Sequence, residues 1–208
     1  VSCKVGVLVS GRGSNLQSII DKSKSGEIDA EVVVVLSDKP EAYALQIAKK
    51  AGIDAYYIDP EVEKPVLTGK AEEKYINALK KHKVDLVCLA GFMRIVKEKL
   101  ISAFEWKIMN IHPALLPSFK GLHAQKKALD YGVRFAGATV HFVTTDVDGG
   151  PIILQAVVPV YQDDTEESLA NRILKEEHRI YPEAIDLFSK NILRIKDNKV
   201  FIEGDNGE

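Results

Sequence analysis

Short apolar runs alternate with helical patterns through the first half of this chain, and few folds accommodate that order. Residues 4–10 form a β-branched run of strand length, and residues 14–24 carry the spacing of a helix. Residues 31–36 give a second strand run, 41–51 a helix closed by Gly52, and 54–58 a short strand. Residues 65–83 read as a long helix, 85–90 as a strong strand, 96–104 as a helix and 107–111 as another strand. Strands joined through helices run parallel, because a parallel pair needs a long crossover and a helix supplies it. Such strands are covered on both faces, so their runs are continuously apolar rather than alternating. The order predicts an α/β fold, an open and mostly parallel twisted sheet with helices on both faces.

The second half changes character. Residues 125–131 read as a helix ending near Gly132. Residues 135–143 and 151–160 are strand runs separated by the Asp148-Gly149-Gly150 turn, which predicts an antiparallel section completing the sheet. Residues 166–188 form a long helix, with Asp163, Asp164 and Thr165 as candidate N-caps. Pro182 is expected to kink or divide that helix. Residues 192–202 suggest a small hairpin around Asp197-Asn198. No repeat or linker interrupts the pattern, so one domain over residues 1–208 is the simplest expectation.

Composition narrows the partners. The 208 residues are long enough for a substantial core, and 46% hydrophobic with 28% charged is ordinary globular usage rather than disordered or fibrous. A net charge of -2 gives no general pull toward nucleic acid or an anionic membrane, so small molecules are the expected partners. The lysines at 49–50, 80–83 and 126–127 fall on predicted helices and read as solvated faces. Cys3 and Cys88 lack metal-ligand spacing, Cys88 lies in an apolar run, and no metal is expected. No apolar run is long enough for a bilayer, and the first residues lack a signal-peptide pattern, so a reducing, cytoplasmic setting is expected.

The densest chemistry lies in Asn110-Ile111-His112-Pro113-Ala114-Leu115-Leu116-Pro117. Residues two apart on a strand share a face, so Asn110 and His112 emerge side by side where a buried strand ends. Pro113 biases His112 toward an extended backbone. An amide and an imidazole aimed together, with a carboxylate brought in by the Asp148-Gly149-Gly150 turn, equip a site for acyl or one-carbon chemistry at a carbonyl. Taken alone, Asn-x-His also fits a hydrogen-bonded structural histidine. A second motif, Ser10-Gly11-Arg12-Gly13-Ser14-Asn15, follows the first strand and opens the first helix. Exposed amides and the dipole at such a helix start favour an anion, typically phosphate. The spacing is neither a P-loop nor the dinucleotide fingerprint, and a plain tight turn remains the alternative.

Together these motifs resemble a known family. Residues 10–17, Ala90-Gly91-Phe92-Met93-Arg94, residues 110–117, Gly121-Leu122-His123, Val140-His141-Phe142 and residues 148–155 are similar to the phosphoribosylglycinamide formyltransferases of purine synthesis. The likeness runs to residues 176–182, nearly the whole chain. It implies transfer of a formyl group from 10-formyltetrahydrofolate, a co-substrate, to the amine of glycinamide ribonucleotide. It implies a nucleotide-binding half over about residues 1–105 and a folate and catalytic half over about 106–208. By resemblance the catalytic residues are Asn110, His112 and Asp148. The phosphate loop is Gly11, Arg12, Gly13, Ser14 and Asn15, and Glu177 holds the substrate on its amine side. Arg94 with Met93 and Ile95, together with Asp148, would contact folate. His123 and His141 stand near these motifs without an assigned role. A formyltetrahydrofolate hydrolase or a methionyl-tRNA formyltransferase would share Asn-x-His and the distant Asp. A non-catalytic nucleotide-binding module would explain the glycine loop but not the convergence of Asn110, His112 and Asp148.

Overall fold

The computed structural model describes residues 2–62 and 64–204. Val1, Glu63 and residues 205–208 of the expected domain lie outside them. The structure divides into two compact units, the first ending at Asn110 and the second beginning at Ile111. The boundary falls inside a strand, Ile108–His112.

The first unit is the alternating half. Strands β1 (Cys3–Val9), β2 (Ala30–Ser37), β3 (Asp54–Tyr57), β4 (Leu86–Leu89) and β5 (Ile108–His112) lie in the order β3-β2-β1-β4-β5. Every pairing among them is parallel, with Val7 opposite Val35 on one side and Cys88 on the other, and Cys88 opposite Met109. Helices α1 (Ser14–Lys24), α2 (Tyr43–Lys50), α3 (Gly69–Lys81) and α4 (Glu98–Ala103) connect the strands. Val5, Val7, Leu8 and Val9 are buried on both sides of β1, as strands in a covered parallel sheet must be. Right-handed crossovers put α1 and α2 on one face and α3 and α4 on the other, and the helices of each pair touch.

From β1 the chain builds outward through β2 to β3, then returns past β1 to β4. The direction of growth therefore reverses between β1 and β4. In open α/β sheets, the carboxyl ends of strands at such a reversal form the ligand crevice. The loops leaving there are residues 10–13 after β1 and residues 90–97 after β4.

The second unit holds α5 (Ala124–Tyr131), the antiparallel pair β6 (Phe135–Phe142) and β7 (Ile152–Pro159), α6 (Glu166–Ser189), and a hairpin of β8 (Leu193–Lys196) and β9 (Lys199–Ile202). Helix α6 buries Leu169, Ile173, Ile180, Tyr181, Ala184 and Ile185, and packs on β6 and β7. Its N-terminus closes with a reciprocal cap: Thr165 Oγ1 accepts from Ser168 N–H at 3.1 Å, and Ser168 Oγ accepts from Thr165 N–H at 3.0 Å.

Two expectations are corrected. The helix read from residue 65 begins at Gly69, because Val66 pairs with Ile95 and the Leu67 and Ile95 amides donate to Ile95 O and Pro65 O at 2.9 Å. Ladder bonds to a remote segment outweigh helical spacing there. Of the two outcomes expected at Pro182, a kink or a division, the division does not occur. Pro182 lies buried inside one helix of 24 residues, where packing of the apolar face offsets the backbone bond that proline removes.

Candidate active site

The glycine loop sits at the carboxyl end of β1. Gly13 has φ +78° and caps α1 without a side-chain hydrogen bond, and the first turn carries no acidic residue. Gly11 and Arg12 are exposed, Ser14 is half-buried and Asn15 is buried. The two glycines differ in what surrounds them. A Cβ on Gly11 would meet nothing within 4 Å, whereas one on Gly13 would lie 2.7 Å from Ala44 Cβ and 2.9 Å from Ala44 Cα. Gly13 is thus required by the close approach of α2, and Gly11 leaves space open to a ligand. Gly11 O accepts from Ala44 N–H at 3.2 Å, which ties the loop to α2.

The segment after β4 alternates. Met93 and Ile95 are 57% and 36% exposed, while Arg94 between them is 9% exposed. The Arg94 guanidinium turns inward: Nε donates to Asp38 Oδ2 at 2.7 Å, and Nη1 donates to the carbonyls of Lys64 at 2.6 Å and Val62 at 3.1 Å. In this structure the Arg94 guanidinium is engaged by Asp38 and by two backbone carbonyls. The apolar side chains of Met93 and Ile95 face outward instead.

In the second unit, Asp148 comes to His112 despite 35 intervening residues. Asp148 Oδ2 lies 3.5 Å from His112 Nδ1 and accepts from Gly121 N–H at 2.8 Å. Its other oxygen lies 3.7 Å from Nε2 of His141, and both carboxylate and imidazoles are largely buried. Asp148 holds φ +51°, a conformation that Asp and Asn tolerate better than most residues. Gly150 shapes the same turn, since a Cβ there would stand 1.9 Å from Phe142 O. His112 Nε2 is 3.0 Å from Phe119 O. Asn110 is two residues before His112 on β5, so the pleat sends both side chains to one side.

His141 is buried, with Nδ1 2.9 Å from Phe142 O. Burial pushes its imidazole below the ordinary value, against the opposing pull of the Phe142 carbonyl and Asp148. Glu177 on α6 is also buried, unlike its neighbour Glu176, which pairs with Arg179 on the surface. His123 is exposed at the start of α5.

The sequence reading missed the residues that hold the turn after His112. Thr139 Oγ1 donates to Ala114 O at 2.7 Å and accepts from Leu116 N–H at 3.1 Å. Gln155, opposite Thr139 in the β6–β7 register, donates to Thr139 Oγ1 at 2.9 Å and to Leu116 O at 3.0 Å. A polar pair inside two apolar strand runs was the available signal. Asp38, after β2, was missed as the partner of Arg94, and Ser10, after β1, as the partner of Asp38. Among the described residues no group of three or more His, Cys, Asp or Glu side chains is placed to hold a metal ion. Among them, too, no helix is long and apolar enough to cross a membrane.

Comparison with known proteins places nearly the whole chain beside characterised relatives. The family model described as Formyl transferase matches residues 3–185. The chain is 42% identical to phosphoribosylglycinamide formyltransferase of Haemophilus influenzae, over 97% of this chain and 94% of that protein. It is 44% identical to the trifunctional purine biosynthetic protein adenosine-3 of Chironomus tentans over 93% of this chain, which is 14% of that protein's length. Among solved structures, glycinamide ribonucleotide transformylase 1 from Symbiobacterium toebii superposes with a TM-score of 0.92 at 51% identity, covering 97% of this chain and 94% of that one.

Proposed function

The chain belongs to the formyl transferase family, and from that membership we infer that it is a phosphoribosylglycinamide formyltransferase. It transfers a formyl group from 10-formyltetrahydrofolate to the amine of glycinamide ribonucleotide, a step of purine synthesis. The observation that carries the chemistry is the approach of Asp148 to His112, 3.5 Å apart and largely shielded from water.

In this reading the substrate amine attacks the formyl carbon and forms a C–N bond. The carbonyl becomes a tetrahedral oxyanion. Asn110 donates to that oxygen through its side-chain amide, and His112 donates through Nε2. In the structure Nε2 faces Phe119 O, so this carbonyl gives way when the formyl oxygen arrives. Donors aimed at developing charge in a water-poor site are worth about 3 kcal/mol each. Asp148 stabilises the charged imidazole and orients a water that carries the proton from the attacking amine to N10 of folate. The C–N10 bond then breaks, releasing tetrahydrofolate and the formylated amine. No covalent enzyme intermediate is needed.

Binding follows from the same residues. Gly11, Arg12, Gly13, Ser14 and Asn15 receive the substrate phosphate at an α1 start that carries neither a side-chain cap nor an acid in its first turn. Glu177 holds the substrate on its amine side. Met93 and Ile95 offer apolar surface to the flat folate ring. Arg94 serves from beneath by holding that segment.

The test is acceptor dependence. With 10-formyltetrahydrofolate alone the protein should release little tetrahydrofolate. Addition of glycinamide ribonucleotide should start release, with formylated product in equal amount. Release at the same rate without the acceptor would make the protein a hydrolase and refute the reading.

A further inference from the structure

A buried hydrogen-bond chain in the first unit takes no part in formyl transfer itself. Asp38 follows β2 and is 3% exposed. An ionised carboxylate can only accept. Its Oδ2 takes the Arg94 Nε–H at 2.7 Å, and its Oδ1 takes the Ser10 hydroxyl at 2.6 Å. The single Ser10 proton is thereby committed to Asp38, and Ser10 Oγ is left to accept from Met93 N–H, which it does at 2.8 Å. Ser10 N–H also donates to Gly91 O at 3.0 Å. Behind the same segment, the Phe92 ring packs on Tyr75 with centroids 5.6 Å apart. Asp38 thus sets the donor direction of the Ser10 hydroxyl that holds the Met93 amide, and it fixes the Nε side of the Arg94 guanidinium.

A buried ion pair is a poor source of stability, since removing both charges from water offsets most of their attraction. This pair lies beyond the carboxyl ends of β2 and β4, the strands on either side of β1, and Ser10 at the end of β1 links it to the topological reversal between β1 and β4. We propose that Asp38 is a positioning residue for the co-substrate: through Ser10 and Arg94 it holds Met93 and Ile95 outward in the arrangement that receives the folate ring. The proposal rests on the assignment of residues 93–95 to folate made above.

The experiment uses folic acid, which cannot transfer a formyl group, together with steady-state kinetics on the full chain. In the unaltered protein, folic acid should shift the backbone amide resonances of Met93 and Ile95. Ser10→Ala and Asp38→Asn should each weaken folic acid binding by about 3- to 10-fold, the usual worth of one or two polar bonds. KM for 10-formyltetrahydrofolate should rise by the same factor, with kcat changed less than about twofold. Asp38→Ala should lose more than Asp38→Asn, which keeps an oxygen for Arg94. Ser10→Ala removes one oxygen from a half-buried site, so it remains informative if Asp38→Ala fails to fold. Lowered stability with folic acid affinity and KM unchanged in Ser10→Ala and Asp38→Asn would make the network purely structural and overturn the proposal. Absence of shifts at Met93 and Ile95 in the unaltered protein would instead remove the folate assignment, and the positioning role with it.

Discussion

Replacing Gly13 by alanine separates a packing requirement from a binding one. Its φ of +78° lies in the left-handed region, where a Cβ costs about 1–2 kcal/mol. The new Cβ would also stand 2.7 Å from Ala44 Cβ, while ordinary contact begins at 3.4 Å. The first turn of α2 must therefore retreat by about 0.7 Å, which strains the Ala44 N–H bond to Gly11 O; overpacking of this kind costs about 1–3 kcal/mol. Together the terms predict that Gly13→Ala lowers unfolding free energy by roughly 2–5 kcal/mol. Gly11→Ala, with nothing within 4 Å of its Cβ, should stay within about 0.5 kcal/mol of the unaltered protein. Urea denaturation monitored by circular dichroism measures both, provided the two variants share one m-value. Glycinamide ribonucleotide kinetics then read the other half: Gly11→Ala should raise KM for that substrate although the fold is intact. A Gly13→Ala protein as stable as the original would refute the close-approach argument.

Further predictions concern the second unit. Thr139→Val strands the Leu116 amide and removes one Gln155 bond in a buried site, and should cost about 2–4 kcal/mol by urea denaturation; a loss below about 1 kcal/mol would show that water or the backbone replaces the hydroxyl. His141 adds a pH dependence. Its folded pKa is depressed by burial, so below the ordinary value near 6.5 the unfolded chain binds the extra proton first. Its share of stability is complete above that value and declines as pH falls toward the folded pKa. Unfolding free energies between pH 7.5 and 5.5 should therefore fall more steeply in the original protein than in His141→Asn, and parallel slopes would contradict this.

Much of the frame can be read from the residues because local signals and tertiary packing agree. Ser14–Lys24 forms the expected helix, Thr165 caps α6, and Asp197-Asn198 turn the terminal hairpin with positive φ at both positions. Asn110 and His112 leave β5 together because strand periodicity survives folding. What stayed hidden depends on partners remote in sequence. Arg94 looks like a surface cation until Asp38, 56 residues earlier, draws its guanidinium inward. Gly13 reads as a loop glycine from its neighbours in sequence, but the packing that demands a glycine there comes from Ala44, far along the chain. Glu177 looks solvated beside Glu176, yet the rotation of about 100° between neighbours on a helix buries Glu177 and leaves Glu176 half-buried. The residue types announced chemistry in each case, but not the direction in which the side chain points.

The central claim is that His112 and Asp148 act as one unit on formyl transfer, and a double-mutant cycle in kcat tests it most directly. Asp148→Asn suits the purpose because asparagine tolerates the φ of +51° and can still accept from the Gly121 amide. Its loss of charge should lower kcat by about 100-fold or more with smaller changes in KM, the mark of an interaction made mainly in the transition state. His112→Ala should be at least as damaging. Because both residues serve one proton path, the account predicts that the double variant is hardly slower than the slower single variant. Losses that multiply, or an Asp148→Asn protein with near-normal kcat, would show that the carboxylate only shapes the turn.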